Sequence, residues 1–173
     1  CARDAIGNEP FAILLPDVLV KADKSCTAQM VEAYDKVGGN IIAVDAVPED
    51  EVSKYGVIAP KSRNGQLIEM SGMVEKPSRD EAPSNLKITG RYILQPEIFD
   101  LLETQERGAG GEIQLTDSMA TLMQSQAFHA FEYEGQDYDC GSKLGYLEAV
   151  LAYARDHAEI GKDARDLIAR MAG

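Results

Sequence analysis

Asp17 stands near the end of an apolar run, Phe11–Val18 (FAILLPDV), Glu75 and Lys76 stand side by side before Pro77, and Asp139 precedes Cys140-Gly141. Two carboxylates from distant segments suit Mg²⁺, which is held by one or two carboxylates with substrate phosphates and water. A nearby lysine pairs with a phosphate as a point charge. A glutamate accepts hydrogen bonds from sugar hydroxyls. Each residue also has a plainer reading. Asp17 can open a loop or cap the next element, Asp139 can shape the Cys-Gly-Ser turn, and Glu75 and Lys76 can be ordinary exposed charges. Cys140 has no base nearby to activate it and reads as packed.

Such groups need elements to place them. A short continuous apolar run reads as a strand buried on both faces, as in a parallel sheet. In open α/β sheets, ligands bind beyond the carboxyl ends of the strands, where Asp17 falls. Residues 1–7 read as the end of a helix closed by Gly7-Asn8. Asp23 or Ser25 can cap a helix to about Val37, with Met30, Val31, Tyr34 and Val37 as its apolar stripe and Gly38-Gly39 as its stop. Ile41–Val47 then completes a strand–helix–strand unit.

Tyr55–Ala59 and Gln66–Glu75 read as strands joined at Asn64-Gly65, a hairpin signal. Pro77 ends pairing, 78–85 read as loop, and Leu86–Leu94 as a further strand. Pro96 suits the first turn of a helix that buries Ile98, Phe99, Leu101 and Leu102. Arg107–Gly111 (RGAGG) follows a helix, whereas a dinucleotide fingerprint needs a strand before it, so it is not read as a phosphate loop. A helix from near Glu112 shows Leu115, Met119, Leu122 and Met123 on one face. Phe128–Tyr133 reads as a strand, and Gly135–Gly141 as a turn holding Asp137 and Asp139. A long helix from Ser142 to about Ala158 places Leu144, Leu147, Leu151 and Ala154 on one side, and Gly161 breaks it. A last helix spans about Asp163–Met171. Asp17, Glu75-Lys76 and Asp139 each follow a β segment, which fits one shared site.

The chain has 173 residues, enough for one domain with a core, and is 45% hydrophobic. Its net charge of −12 argues against nucleic acid or an anionic membrane as the main partner. A small anionic ligand stays open, because local lysines and a metal can reverse the field at one site. No window approaches the ~20 apolar residues of a membrane span, and no basic-then-apolar leader is seen. Cys1, Cys26 and Cys140 lack metal-type spacing and read as thiols in a reducing cytoplasm. His129 and His157 match no metal or triad pattern. The start at Cys1, without an initiator Met, reads as a cut piece or a processed product.

FAILLPDV, YGVI, GMVEKP, APSNLKITGRYIL, GAGGEIQLTD and YDCGSKLGYLEA occur here in one order. Together they resemble the bacterial UTP–glucose-1-phosphate uridylyltransferases, from about Cys1 to Tyr153. The resemblance implies an α/β, Rossmann-like nucleotide-diphospho-sugar transferase fold, a mixed, mostly parallel sheet flanked by helices. It implies a cytoplasmic enzyme that joins UTP and glucose 1-phosphate into UDP-glucose and pyrophosphate with Mg²⁺. Asp17 and Asp139 match the family's metal aspartates, and with Lys76 its catalytic set. Glu75 and Lys76 match the pair that holds glucose hydroxyls and the sugar phosphate, and Gly56 the position whose backbone meets the sugar. Gln114 and Asp117 carry a weaker likeness to residues near the site or a subunit contact.

The family's opening strand and its glycine-rich G-x-G-T-R loop have no counterpart in residues 1–173. The nucleotide site is therefore expected to be incomplete, and Phe11–Leu15 to lack a neighbouring strand. We expect one partial nucleotidyltransferase domain over 1–173, with the helices of 142–173 as a possible subunit interface of a homo-oligomer. Alternatives are a non-catalytic sugar-nucleotide-binding or oligomerisation module and a glucose-1-phosphate thymidylyltransferase.

Overall fold

The computed structural model describes residues 2–107 and 111–172. Cys1 and the centre of the RGAGG stretch lie outside the described residues, and so do the readings made of them. The chain runs α1 (Arg3–Ile6), β1 (Phe11–Leu14), β2 (Val18–Lys21), α2 (Cys26–Val37), β3 (Asn40–Ala46), β4 (Gly56–Asn64), β5 (Leu67–Glu75) and β6 (Leu86–Leu94). It continues α3 (Ile98–Thr104), α4 (Leu115–Leu122), β7 (Phe128–Glu132), β8 (Gln136–Asp139), α5 (Lys143–Arg155) and α6 (Gly161–Ala172). It divides into two compact units: 1–14 with 22–134, and 15–21 with 135–173.

The first unit holds a six-stranded sheet in the order β1-β6-β3-β7-β5-β4, with a further bridge from β4 to β6. The sheet is mixed, as the sequence leads one to expect, but its balance is not mostly parallel. Among the described residues only β3–β7 runs parallel, and the β1–β6, β3–β6, β4–β5, β4–β6 and β5–β7 pairings are antiparallel. The tight turn between β4 and β5 forces that pair to run antiparallel. β6 makes three of the others, because it enters between β1 and β3 and separates the two strands of the expected βαβ unit.

Among the described residues β1 is an edge strand with one neighbour, and it alternates half-buried and exposed. The expectation of burial on both faces is thus corrected. Its inner side stacks Phe11 on Phe99 of α3, with ring centroids 5.0 Å apart. The core is built from Ile42, Val44, Ile58, Ile68, Leu94, Ile98, Met119 and Phe128, which are nearly or wholly without solvent contact.

α2 starts as read, with Ser25 Oγ accepting from the Ala28 N–H at 3.3 Å, and stops at Gly38, whose φ is +62°. Its buried stripe is Cys26, Gln29, Met30 and Ala33, whereas Val31 and Val37 are exposed. The polar Gln29 belongs to that stripe for a structural reason. Its Nε2 donates to the carbonyls of Lys24 and Glu134, both at 2.8 Å, and its Oε1 accepts from the Glu134 N–H at 2.9 Å.

The second unit contains a two-stranded antiparallel sheet, β2 with β8, and the helices α5 and α6. Residues 135–141 read from sequence as a turn, but Gln136–Asp139 is a strand, and Val18–Lys21 is its partner. α5 opens with Ser142 Oγ accepting from the Gly145 N–H at 3.0 Å. It buries its small residues, Gly145 and Ala149, while Leu144, Leu147 and Leu151 of the expected apolar side are exposed. The reason is close approach: a Cβ on Gly145 would fall 2.1 Å from the Asp139 carbonyl oxygen. α6 begins at Gly161, the residue read as a break.

Candidate functional site

The hairpin β4–β5 assembles one group of the expected residues. Its two-residue turn is Gly65-Gln66, with Gly65 at φ +62° and Asn64 paired to Leu67. From that turn the register runs back to place Gly56, the first residue of β4, opposite Glu75, the last of β5. The irregularity around Pro60 leaves the register the same on both sides of it. The pairing extends one step further, because the Lys76 N–H donates to the Tyr55 carbonyl at 3.1 Å.

Gly56 has to be small: a Cβ there would lie 2.9 Å from Glu75 Oε2 and 3.3 Å from Ile88 Cδ1. Glu75 is largely shielded, with 19% of its side chain accessible, and the Lys76 side chain reaches out at 63%. Lys76 Nζ is 3.9 Å from Glu75 Oε1, outside hydrogen-bond distance. Its ammonium therefore keeps donors for a ligand. Among the described residues Lys76 is also the one non-glycine with positive φ, at +46°. That conformation costs an L-residue roughly 1–2 kcal/mol. A bulky residue is uncommon in that conformation.

The second group is in the other unit. Asp17 lies in the turn before β2, and Val18 pairs with Asp139 at the end of β8. The ladder sets the two aspartates at the same end of the small sheet. The Cys140 N–H donates to the Asp17 carbonyl at 2.7 Å, and the Gly141 N–H to Asp139 Oδ1 at 2.9 Å. A Cβ on Gly141 would lie 3.0 Å from Asp139 Oδ1 and 3.6 Å from Asp17 Oδ2. Both carboxylates therefore converge on a space that glycine leaves open. Two carboxylates on exposed residues, one of them also held by the Gly141 N–H, are the kind of donors a hard divalent cation takes when it keeps positions for water and phosphate. No cluster of three or more His, Cys, Asp or Glu suited to a metal occurs among the described residues.

The residues expected to share one site thus form two groups, Gly56, Glu75 and Lys76 in the first unit and Asp17 and Asp139 in the second. Of the two residues of weaker likeness, Asp117 is exposed and the Gln114 carbonyl accepts from Gln105 Nε2 at 3.0 Å. Thr116, between them, touches the first group: its Oγ1 donates to Glu75 Oε2 at 2.8 Å. Sequence reasoning passes over it, because a threonine inside an amphipathic helix carries no signal of its own. The Cys26 and Cys140 thiols are buried and partly buried. Among the described residues no helix is long and apolar enough to cross a membrane.

The nucleotidyl transferase family model matches residues 1–156, and the chain belongs to that family. Within it the chain is similar to the UTP–glucose-1-phosphate uridylyltransferase of Staphylococcus epidermidis, 44% identical over 98% of this chain and 59% of the relative. Among solved structures it is similar to a UDP-glucose pyrophosphorylase from Acinetobacter baumannii, with a TM-score of 0.88 and 40% identity over 99% of this chain and 60% of that one. A UDP-glucose pyrophosphorylase complexed with UDP-glucose aligns with a TM-score of 0.86 and 41% identity over 90% of this chain and 60% of that chain. The chain spans about 60% of the length of these relatives.

Proposed function

We propose that this chain supplies the sugar-phosphate and metal residues of an enzyme that forms UDP-glucose and pyrophosphate from UTP and glucose 1-phosphate. The observation that carries this reading is 44% identity, across 98% of the chain, to a protein named for that reaction. In it, an oxygen of the sugar phosphate attacks the α-phosphorus of UTP. The new P–O bond forms as the bond to the β-phosphate bridge breaks, and pyrophosphate leaves. The nucleophile is already ionised, so no base and no covalent enzyme intermediate is required. The protein has to position two polyanions and offset their charge.

Lys76 takes the phosphate of glucose 1-phosphate, Glu75 accepts from glucose hydroxyls, and the Gly56 backbone lies against the sugar. Asp17 and Asp139 would hold Mg²⁺, which would neutralise phosphate charge. The open space at Gly141 supports this assignment, and so does the strained backbone of Lys76.

The test is pyrophosphorolysis: UDP-glucose, pyrophosphate and Mg²⁺ are supplied and UTP release is followed. It is run on this chain and on a polypeptide extended to the length of the relatives. UTP release that falls in Lys76→Ala and in Asp139→Ala supports the reading, and wild-type turnover in either variant removes that residue from the site. UTP release from neither polypeptide overturns the assignment.

A further inference from the structure

Glu75 can serve a sugar only if its carboxylate is where the sugar arrives, and a glutamate has enough rotatable bonds to be elsewhere. Two features hold it. Thr116, buried at the second position of α4, donates from Oγ1 to Glu75 Oε2 at 2.8 Å. The Gly56 backbone closes on the same oxygen beside it, with 2.9 Å left to where a Cβ would be. Thr116 Oγ1 and Glu75 Oε2 both lie within 4 Å of that point, so hydroxyl, carboxylate and glycine form one packed cluster. The hydroxyl engages Oε2, and Oε1, with Lys76 Nζ at 3.9 Å, keeps its acceptor capacity. Fixing a rotamer-rich side chain before the ligand comes removes an ordering cost from binding.

We propose that Thr116 is a positioning residue, whose hydroxyl fixes the Glu75 carboxylate in the orientation that accepts a hydrogen bond from the hexose of a sugar nucleotide. This rests on the reading of Glu75 as the sugar contact. A purely structural role, joining α4 to β5, would make the same hydrogen bond but would leave ligand binding indifferent to it.

The experiment compares wild type, Thr116→Val, Thr116→Ser, Glu75→Ala and the double variant Thr116→Val/Glu75→Ala. UDP-glucose binding with Mg²⁺ is measured by calorimetry, and crystal structures of the two Thr116 variants are determined without ligand. Valine keeps the shape and removes the donor, whereas serine keeps the donor. The expected weakening is about tenfold for Thr116→Val, the size of one hydrogen bond to a charged group, and under about twofold for Thr116→Ser. In the Glu75→Ala background Thr116→Val adds nothing. The Glu75 carboxylate leaves its place in the valine variant and keeps it in the serine variant. Unchanged binding in Thr116→Val, or an equal loss with and without Glu75, overturns the proposal. The polypeptide used is the one extended to the length of the relatives, and absence of UDP-glucose binding in its wild type defeats the sugar reading instead. The crystal structures still decide the positioning role, since a Glu75 that stays put without the Thr116 hydroxyl ends it.

Discussion

At the level of single residues, stability and ligand binding pull apart at Lys76. Its φ of +46° is a conformation glycine adopts without strain. Lys76→Gly should therefore raise stability in urea by about 1 kcal/mol, as left-handed strain is relieved. The same variant should weaken UDP-glucose binding at least about tenfold in calorimetry, because a phosphate loses its charged donor. A gain in both, or a loss in both, would show that the backbone conformation is not held for the lysine head group. Gly56→Ala moves the two properties together. The new Cβ meets the Glu75 carboxylate and Ile88 Cδ1, side chains rather than backbone. Displacing Glu75 still gives up its hydrogen bond from Thr116, so Gly56→Ala should cost about 1–3 kcal/mol. With Glu75 displaced, UDP-glucose binding should be lost as well. Asp17, Glu75 and Lys76 could be placed from sequence because charge at the end of an apolar run is visible there, whereas Asp139 ends a strand that reads as a turn. Thr116 could not, because its significance is one contact with Glu75 across the fold.

At the level of elements, the small sheet of the second unit depends on one close approach. Gly145 in the first turn of α5 lies against the Asp139 carbonyl, where a Cβ would fall 2.1 Å from backbone oxygen. Neither partner is a flexible side chain, so Gly145→Ala should cost about 3 kcal/mol or more, at the upper end of overpacking. Because β8 ends in Asp139, Mn²⁺ binding followed by electron paramagnetic resonance should weaken in the same variant. Undiminished stability would mean that α5 is free to shift. The longer elements could be read from sequence through caps, turn residues and apolar runs: Ser25, Asn64-Gly65, Pro96, Ser142. β2 and β8 could not. Each has four residues, and they pair across most of the chain, so neither shows the alternation that marks a longer strand. The stripes of α2 and α5 mislead for a related reason. What α2 buries includes a glutamine that satisfies backbone, and what α5 buries is small rather than greasy.

At the level of the whole molecule, three carboxylates paired with lysines respond to acid. Hydrogen bonds from Lys24, Lys61 and Lys21 hold Glu32, Glu69 and Asp156, respectively, below their ordinary values of 4.5, 4.5 and 3.8. A depressed folded value means stability that is present above the unfolded value and lost as pH falls through the folded one. The urea midpoint should thus be level near neutrality and decline below about pH 4, shallowly because all three pairs face solvent. Gln29 has a consequence of another kind. It fastens Lys24 to Glu134, a few residues from where β2 ends and β8 begins. Joining β2 to β8 unaided would close a very long loop, and the entropy of closure rises with loop length. With residues 22–134 folded and their ends tied, most of that search is already over. This sets an order in time. In pulse-labelling hydrogen exchange the amides of β3 should gain protection before those of β2 and β8, and Gln29→Leu should lengthen the interval between them. The two aspartates, encoded far apart, would then become neighbours only in the closing moments of folding.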